Sequence, residues 1–450
     1  MATTTEERQR RLPDGDGDPG SGVAAKLAPA IEKLDRRSPE GRGFAISFWD
    51  GSVLPATGDD ESEHPTLHLT NPDGLARIIR APGELGFSRA WVSGDLEVKG
   101  DLERALTETE SWRHAGLKPG DLIDTAKAIR ATGVLRRGAP PAPQSEARLR
   151  GRLHSDKRDR AAIAHHYDVS NAFYRRMLGP TMVYSCAYFE SDADSLDSAQ
   201  TRKLDLICRK LDLQPGERML DIGCGWGSLL IHAAGHYGVR AVGVTISEAQ
   251  AQLARERISQ AGLSDLCEVR VEDYRAVADG PYDKIASIGM FEHVGRRNLW
   301  LYLERITELL SPEGLFLNHG IVRTQPVRTN PRSFSRRFVF PDGELQTQGF
   351  VIDTIEQVGL ELIDDESLRP HYAKTLRCWA ANHDANRTAA IEEIGVERER
   401  VWRLHNVGAA LAFDRGAISV HQALTRKLAG ERRLPVRLRT GPRTVAARSA

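Results

Sequence analysis

The stretch Arg218-Met219-Leu220-Asp221-Ile222-Gly223-Cys224-Gly225-Trp226-Gly227 decides the fold. Pro215-Gly216 breaks the chain ahead of it, and the apolar run RMLDI reads as a short buried strand. Three alternate glycines follow at once, and then the helical spacing of LLIHAAGHY (229–237). Glycine lets the backbone turn tightly and pass close to a ligand. A helix starting there aims free N–H groups and its positive dipole end at that ligand. Working outward, AVGVTI (241–246), CEVRVED (267–273), YDKIASIGM (282–290) and GLFLNHGIV (314–322) read as further strands. EAQAQLARERISQAG (248–262) and LWLYLERITELL (299–310) are helices between them. Strands separated by helix-length segments predict an α/β fold, a parallel sheet covered on both faces, doubly wound and Rossmann-like. A dinucleotide would require G-x-G-x-x-G and a carboxylate closing the second strand. Here the glycines are spaced G-x-G-x-G and that strand ends in Thr245-Ile246-Ser247.

The 450 residues suffice for two or three domains. Formal net charge is zero, so no global field draws the chain to nucleic acid, and its basic segments lack interleaved aromatics. The start, MATTTEERQRRLPDGDGDPGSG, reads as no secretory signal, and no apolar run is long enough to span a membrane. Five scattered cysteines without a C-x-x-C pair argue against a disulfide framework and a structural zinc site, and for a cytoplasmic setting; no metal is expected. Residues 1–42 read as a disordered tail and 43–135 as a small α+β domain, with FAISFWDGSVL (44–54) turning at Asp50-Gly51. Residues 136–160 hold a proline cluster with eight Lys/Arg against three Asp/Glu and read as a solvated linker or a lipid-facing basic strip. The Rossmann-like domain covers 161–425, and 426–450 form a second basic tail.

LDIGCGWG (220–227) is similar to the first motif of the class I methyltransferases, which implies S-adenosylmethionine as cofactor. Asp221 would then meet the methionine ammonium. Glu272-Asp273-Tyr274 would lie near adenine, although the two carboxylates could equally cap the loop. Five more stretches extend the likeness: HHYDVSNAFYRRML (165–178), TMVYSCAYF (181–189), VGVTISEAQ (242–250), SIGMFEHVG (287–295) and LRPHYAKTLRCW (368–379). In this order they resemble the cyclopropane-fatty-acid and cyclopropane mycolic-acid synthases over about 161–425, with 43–135 like the amino-terminal domain of the phospholipid-acting members. The resemblance implies methyl transfer to the double bond of an unsaturated acyl chain of a phospholipid, at the inner face of a membrane. By matching positions Tyr184, Ser185, Gly223, Gly225, Gly227, Thr245, Ile246, Gln250, Asp273 and Tyr274 would contact the cofactor. Cys186, Glu292, His319, Ile321 and Tyr372 would hold a bicarbonate ion, the first two together with His319 and Tyr372 being the catalytic set. Where many members carry a cysteine on a late helix, HNVGAALAF (405–413) offers Ala409. LFLNHGIVR, FPDGEL and RVWRLHNVG lean towards a branch that forms an exocyclic methylene, so the product is either that or a cyclopropane. A homodimer, and a reductase acting on a methylene product, are the protein partners to look for. A methyltransferase of a soluble amine is the alternative.

The chemistry suits these residue types. An alkene is a weak nucleophile, so alignment against the sulfonium methyl must carry the step. The carbocation left behind must be kept from water and lose a proton to a base. A carboxylate such as Glu292 after an apolar strand gains nothing by packing. His319, Cys186 and Tyr372 each also have an ordinary structural reading, as a core histidine, a small buried filler and a core aromatic. Tyr167, Phe173 and Tyr174 read as wall, able to stabilise a cation.

Overall fold

A computed structural model describes residues 22–58, 64–114, 119–148, 158, 170–326 and 330–428. The amino-terminal unit comprises α1 (Gly22–Asp35), β1 (Ala45–Ser47), β2 (Val53–Leu54), β3 (Thr66–Leu69), α2 (Pro72–Arg80), α3 (Glu84–Val92), β4 (Leu96–Lys99), α4 (Leu102–His114) and α5 (Leu122–Thr132). Its strands pair in the order β2-β1-β3-β4, with the expected hairpin at Asp50-Gly51. Residues 22–35 of the tail expected over 1–42 form α1, and residues 1–21 lie outside the described residues. Val23, Leu27 and Ala30 share one helical face and sink against Phe44 and Phe48. Asp50 of the hairpin accepts from Val23 N at 2.7 Å, and Ser52 Oγ accepts from Ala24 N at 3.0 Å, which caps the helix start. Pro29, inside the helix, hid it from the sequence reading.

The linker expected over 136–160 also needs correction where it is described. Pro141 O accepts from Arg77 at 2.6 Å, and Glu146, 3% exposed, pairs with Arg89 of α3 and with Arg337. A buried carboxylate held by two guanidinium groups fastens this stretch between the domains rather than leaving it in solvent. Residues 149–157 and 159–160 lie outside the described residues.

The larger domain continues with α6 (Asn171–Leu178), α7 (Leu196–Lys210), β5 (Arg218–Ile222), α8 (Ser228–Tyr237), β6 (Arg240–Thr245), α9 (Glu248–Gln260), β7 (Cys267–Val271), β8 (Tyr282–Ile288), α10 (Phe291–Val294), α11 (Leu299–Leu309), β9 (Leu310–Arg323), α12 (Gln348–Gln357), β10 (Leu360–Ser367), α13 (Arg369–Ala385), α14 (Arg387–Ile394), α15 (Val396–Asp414) and β11 (Ile418–Lys427). Among the described residues seven strands pair in the order β10-β11-β9-β8-β5-β6-β7. The five strands read from the sequence run parallel, as expected. β11 does not: it lies antiparallel between β9 and β10, so the sheet is mixed. The reason is the helix pair α13/α15, which leaves and returns at the same sheet edge, so the next strand must run back. Arg426 and Lys427, expected in the basic tail, belong to this strand; residues 429–450 lie outside the described ones.

The two domains meet through Trp91 of α3 and Arg400 of α15. Trp91 Nε1 donates to Arg400 O at 2.9 Å, and the Arg400 guanidinium donates to Trp91 O at 3.0 Å and pairs with Glu97. Leu85 and Val92 pack there with Phe334, Phe338, Val401 and Leu404. α15 is thus held from behind by the small domain while its other face carries Trp402 towards the larger core.

Candidate active site

The strand order reverses between β5 and β8, and the loops after these two strands open a crevice at their carboxyl ends, where open α/β sheets bind ligands. One cavity there is lined by Tyr184, Ser185, Asp221, Gly223, Gly225, Thr245, Ile246, Gln250, Asp273 and Tyr274. The predicted cofactor set therefore converges, apart from Gly227. That residue, at φ 76°, sits just before α8, where a Cβ would come within 3.1 Å of Ala254 Cβ; it lets α8 and α9 approach. Gly223, at φ 83°, is the residue the cavity itself needs bare: a Cβ would meet Met290 at 3.3 Å. Its N–H and that of Cys224 are bonded to Val244 O, which pins the turn to the neighbouring strand.

Around the turn, Thr245 Oγ1 donates to Gln250 Oε1 at 3.0 Å, and Ser247 caps α9 through Gln250 N. Glu272 and Asp273 directly follow β7. The two line the cavity, while Asp273 also takes the Arg275 guanidinium and backbone N–H. Asp221 is 2% exposed and its Oδ1 has no hydrogen-bond partner. Burial pushes its carboxyl up to about 7, partly offset by the positive charge of Lys203. An unsatisfied buried acceptor beside a glycine cradle fits a ligand that brings its own cationic donor.

Lys203 is a residue the sequence reading passed over, and Gln200 is another. Both lie on the buried face of α7. Gln200 Nε2 donates to Ser185 O at 2.9 Å, and Lys203 Nζ donates to Ser185 Oγ at 2.8 Å. The available signal was spacing: positions 196, 199, 200, 203, 207 and 210 trace one stripe, and three of its members, Gln200, Lys203 and Lys210, are polar.

None of the five residues of the second predicted set lines that cavity. Glu292 is 7% exposed; its Oε1 accepts from Ile321 N at 2.6 Å, and its Oε2 has no partner. Burial pushes its carboxyl up to about 7, with the Ile321 N–H pulling the other way. His319, 1% exposed, shares its Nδ1 with Gln422 Nε2 at 3.0 Å, and its Nε2 is unpartnered. Burial, then the charges of Lys203 and Lys210, hold the imidazole neutral, and a donor on Nδ1 leaves the proton on Nε2. Gly320 between them has no room for a side chain, since a Cβ would fall 2.0 Å from the Phe291 ring and 3.1 Å from Glu292 Oε1. Cys186 Sγ points to Ala187 O and Leu368 O, and burial raises its thiol, so it is a neutral SH group. Tyr372 stacks near Phe413, 4.7 Å between ring centroids, four residues along the helix start from Leu368. The strand pairing Val420↔Ile321 and the bond from Leu368 N to Val420 O tie the Cys186–Tyr372 side to the Glu292–His319 side.

Between the two sets stands an aromatic wall. Tyr174 lies 4.9 Å from Trp226 and 5.5 Å from Trp402, and Tyr184 lies 5.1 Å from Trp379. Phe173 and Tyr174 are fully buried, as expected; Tyr167 lies outside the described residues. Ala409 packs against the same core, so no thiol stands there.

A glycine cradle at the switch point, a buried acceptor and an adjoining aromatic cluster suit methyl transfer, and sequence comparison supplies the family. The family of mycolic acid cyclopropane synthetases matches residues 154–423. The chain belongs to that family. It is 40% identical over 408 residues to a probable fatty acid methyltransferase of Mycobacterium tuberculosis, covering 87% of this chain and 93% of the relative. The cyclopropane-fatty-acyl-phospholipid synthase of Escherichia coli is 36% identical over 325 residues, 70% of this chain and 77% of that one. Among solved structures, mycolic acid cyclopropane synthase CmaA1 complexed with SAH and CTAB is 35% identical, with a TM-score of 0.57 over 60% of this chain and 98% of its own. This cyclopropane synthase relative is thus an S-adenosylmethionine-dependent methyltransferase of class I fold, carrying a small amino-terminal sheet domain. Among the described residues no helix is long and apolar enough to cross a membrane.

Proposed function

We propose that this fatty acid methyltransferase transfers a methyl group from S-adenosylmethionine to the double bond of an unsaturated acyl chain esterified in phospholipid, through a carbocation that closes to a cyclopropane or ends as an exocyclic methylene. The observation that carries the reading is two buried, unpartnered atoms, Glu292 Oε2 on α10 and His319 Nε2 on β9, near an aromatic cluster that reaches both Ile321 and Trp226. The cofactor supplies an electrophilic methyl on a sulfonium. Asp221, with its open Oδ1, takes the methionine ammonium, and the bare Gly223 lets the backbone approach. Tyr174, Tyr184, Trp226, Trp379 and Trp402 pack into one cluster that excludes water, and their π-electrons would steady a developing cation nearby.

The Glu292–His319 cluster fits a bicarbonate ion. The neutral imidazole offers an Nε2–H donor, the Cys186 thiol is protonated, and a carboxyl raised to about 7 is able to sit beside an anion or accept its hydrogen. Such an ion would supply the base that takes the proton from the cation. Ile321 N–H holds Glu292 in place and Gln422 holds the His319 tautomer. No thiolate attack is needed, in keeping with Ala409. At the membrane, the basic segments flanking the domain would meet anionic headgroups, and a methylene product would require a reductase to become a methyl branch.

Incubation with methyl-labelled cofactor and oleoyl phospholipid liposomes tests the reading, with mass spectrometry separating ring from methylene. Label in the lipid fraction is the expected result. Label transferred to a soluble amine in lipid-free reactions, with none in lipid, would overturn it.

A further inference from the structure

Lys203 lies where a lysine is costly, 1% exposed on the buried face of α7. Its ammonium donates to Ser185 Oγ at 2.8 Å, and both residues line the cofactor cavity together with Asp221. We propose that Lys203 is a positioning residue for the amino-acid end of the cofactor: it fixes Ser185 and keeps Asp221 in its carboxylate form, ready for the methionine ammonium. The proposal rests on Asp221 meeting that ammonium, and goes beyond it by naming the group that makes it possible.

A lone buried carboxyl avoids ionising, and a buried lysine avoids carrying charge. Asp221 is pushed up by its burial and Lys203 is pulled down by its own; each draws the other back towards the charged form. Glu272, Asp273, Arg275 and His293 line the same cavity, Asp273 and Arg275 paired with each other. Cys186 lies on the segment that holds Ser185, Cys208 on α7 itself and Cys224 on the glycine turn, all three thiols held neutral by burial. His319 of β9 and His232 of α8 are held neutral by burial, with Lys203 adding to the effect. The positive charge that acts against the burial of Asp221 is that of Lys203. Gln200 braces the backbone of Ser185 from the same helix, so Lys203 is not needed merely to hold that loop.

S-adenosylhomocysteine binding, measured by calorimetry across pH on the full chain, is the test, with 5′-methylthioadenosine as a probe that lacks the amino-acid end. In the native enzyme S-adenosylhomocysteine affinity falls as pH drops through the Asp221 titration. Lys203→Met moves that midpoint up by about a unit and weakens binding about tenfold near neutral pH, because removing a neighbouring positive charge favours the protonated carboxyl. Methylthioadenosine binding stays unchanged. A uniform loss for both probes, or an unshifted midpoint, overturns the proposal and leaves Lys203 a packing residue. Asp221→Asn separates the two layers: it removes the pH step if Asp221 meets the ammonium, and a persisting step sinks that reading itself. Should Lys203→Met not fold, Lys203→Arg and Lys203→Gln give the same contrast. Arginine must keep the midpoint and glutamine must lose it; equal loss in both counts against a role for the charge.

Discussion

The two halves of the proposed active site are built on opposite plans. The cofactor half centres on consecutive residues, one strand, three glycines and one helix start, with the selecting geometry held in the backbone, and side chains of neighbouring segments close around it. The acceptor half draws Cys186, Glu292, His319, Ile321 and Tyr372 from four distant segments, and its character comes from burial of groups that would otherwise ionise. A backbone cradle tolerates no side chain yet needs little support. A charge-managing cluster depends on what every surrounding element does to its protons.

That contrast can be broken by experiment. The largest effect is expected at the cradle. Gly223→Val forces a β-branched residue into φ 83° and a Cβ against Met290, and S-adenosylhomocysteine affinity should fall by about a hundredfold or more. Retention of tight binding would show that the turn has slack. In the acceptor half, Glu292→Gln should lower turnover about a thousandfold, as loss of a proton-managing group does, while cofactor affinity stays within about threefold. A large loss of cofactor binding would move Glu292 into the other half.

The same variant carries a pH signature. Native Glu292, raised from 4.5 to about 7, binds its proton more tightly folded than unfolded. Its contribution to stability is full below the unfolded value and is lost as pH climbs through about 7. Glutamine needs no ionisation, so Glu292→Gln should gain several degrees of Tm over the native chain near pH 8 and little near pH 5. Equal gains at both would mean the carboxyl is not proton-linked to folding. The smallest effect is expected furthest out. Arg400→Met loosens the small domain from the back of α15, whose other face presents Trp402. Lipid turnover should drop several-fold with S-adenosylhomocysteine affinity unaltered; an altered affinity would mean the domain reaches the cradle.

The same division explains what the sequence disclosed. β5, the turn and α8 were legible because strand periodicity, glycine and helix spacing are all local signals. The proposed acceptor residues were read chiefly through family resemblance, since nothing in the spacing of Glu292 and His319 says that α10 and β9 neighbour. Lys203 escaped because a lysine on an amphipathic helix reads as surface, and its burial depends on Ser185 and Asp221 arriving from elsewhere. Pro29 concealed α1, and the proline-rich, basic surroundings of Glu146 concealed a buried carboxylate. β11 went unread because HQ in ISVHQALTRK interrupts its apolar run, yet Gln422 there is fully buried beneath His319.

That reversed strand has a consequence for biosynthesis. Until residue 427 has left the ribosome, β9 lacks its neighbour on one side and His319 lacks the amide that sets its tautomer. The last residue of the proposed cofactor set, Tyr274, by contrast leaves the ribosome about one hundred and fifty residues earlier. On the proposed function, a nascent chain thus completes its methyl donor's seat before the groups proposed to handle the proton are in place.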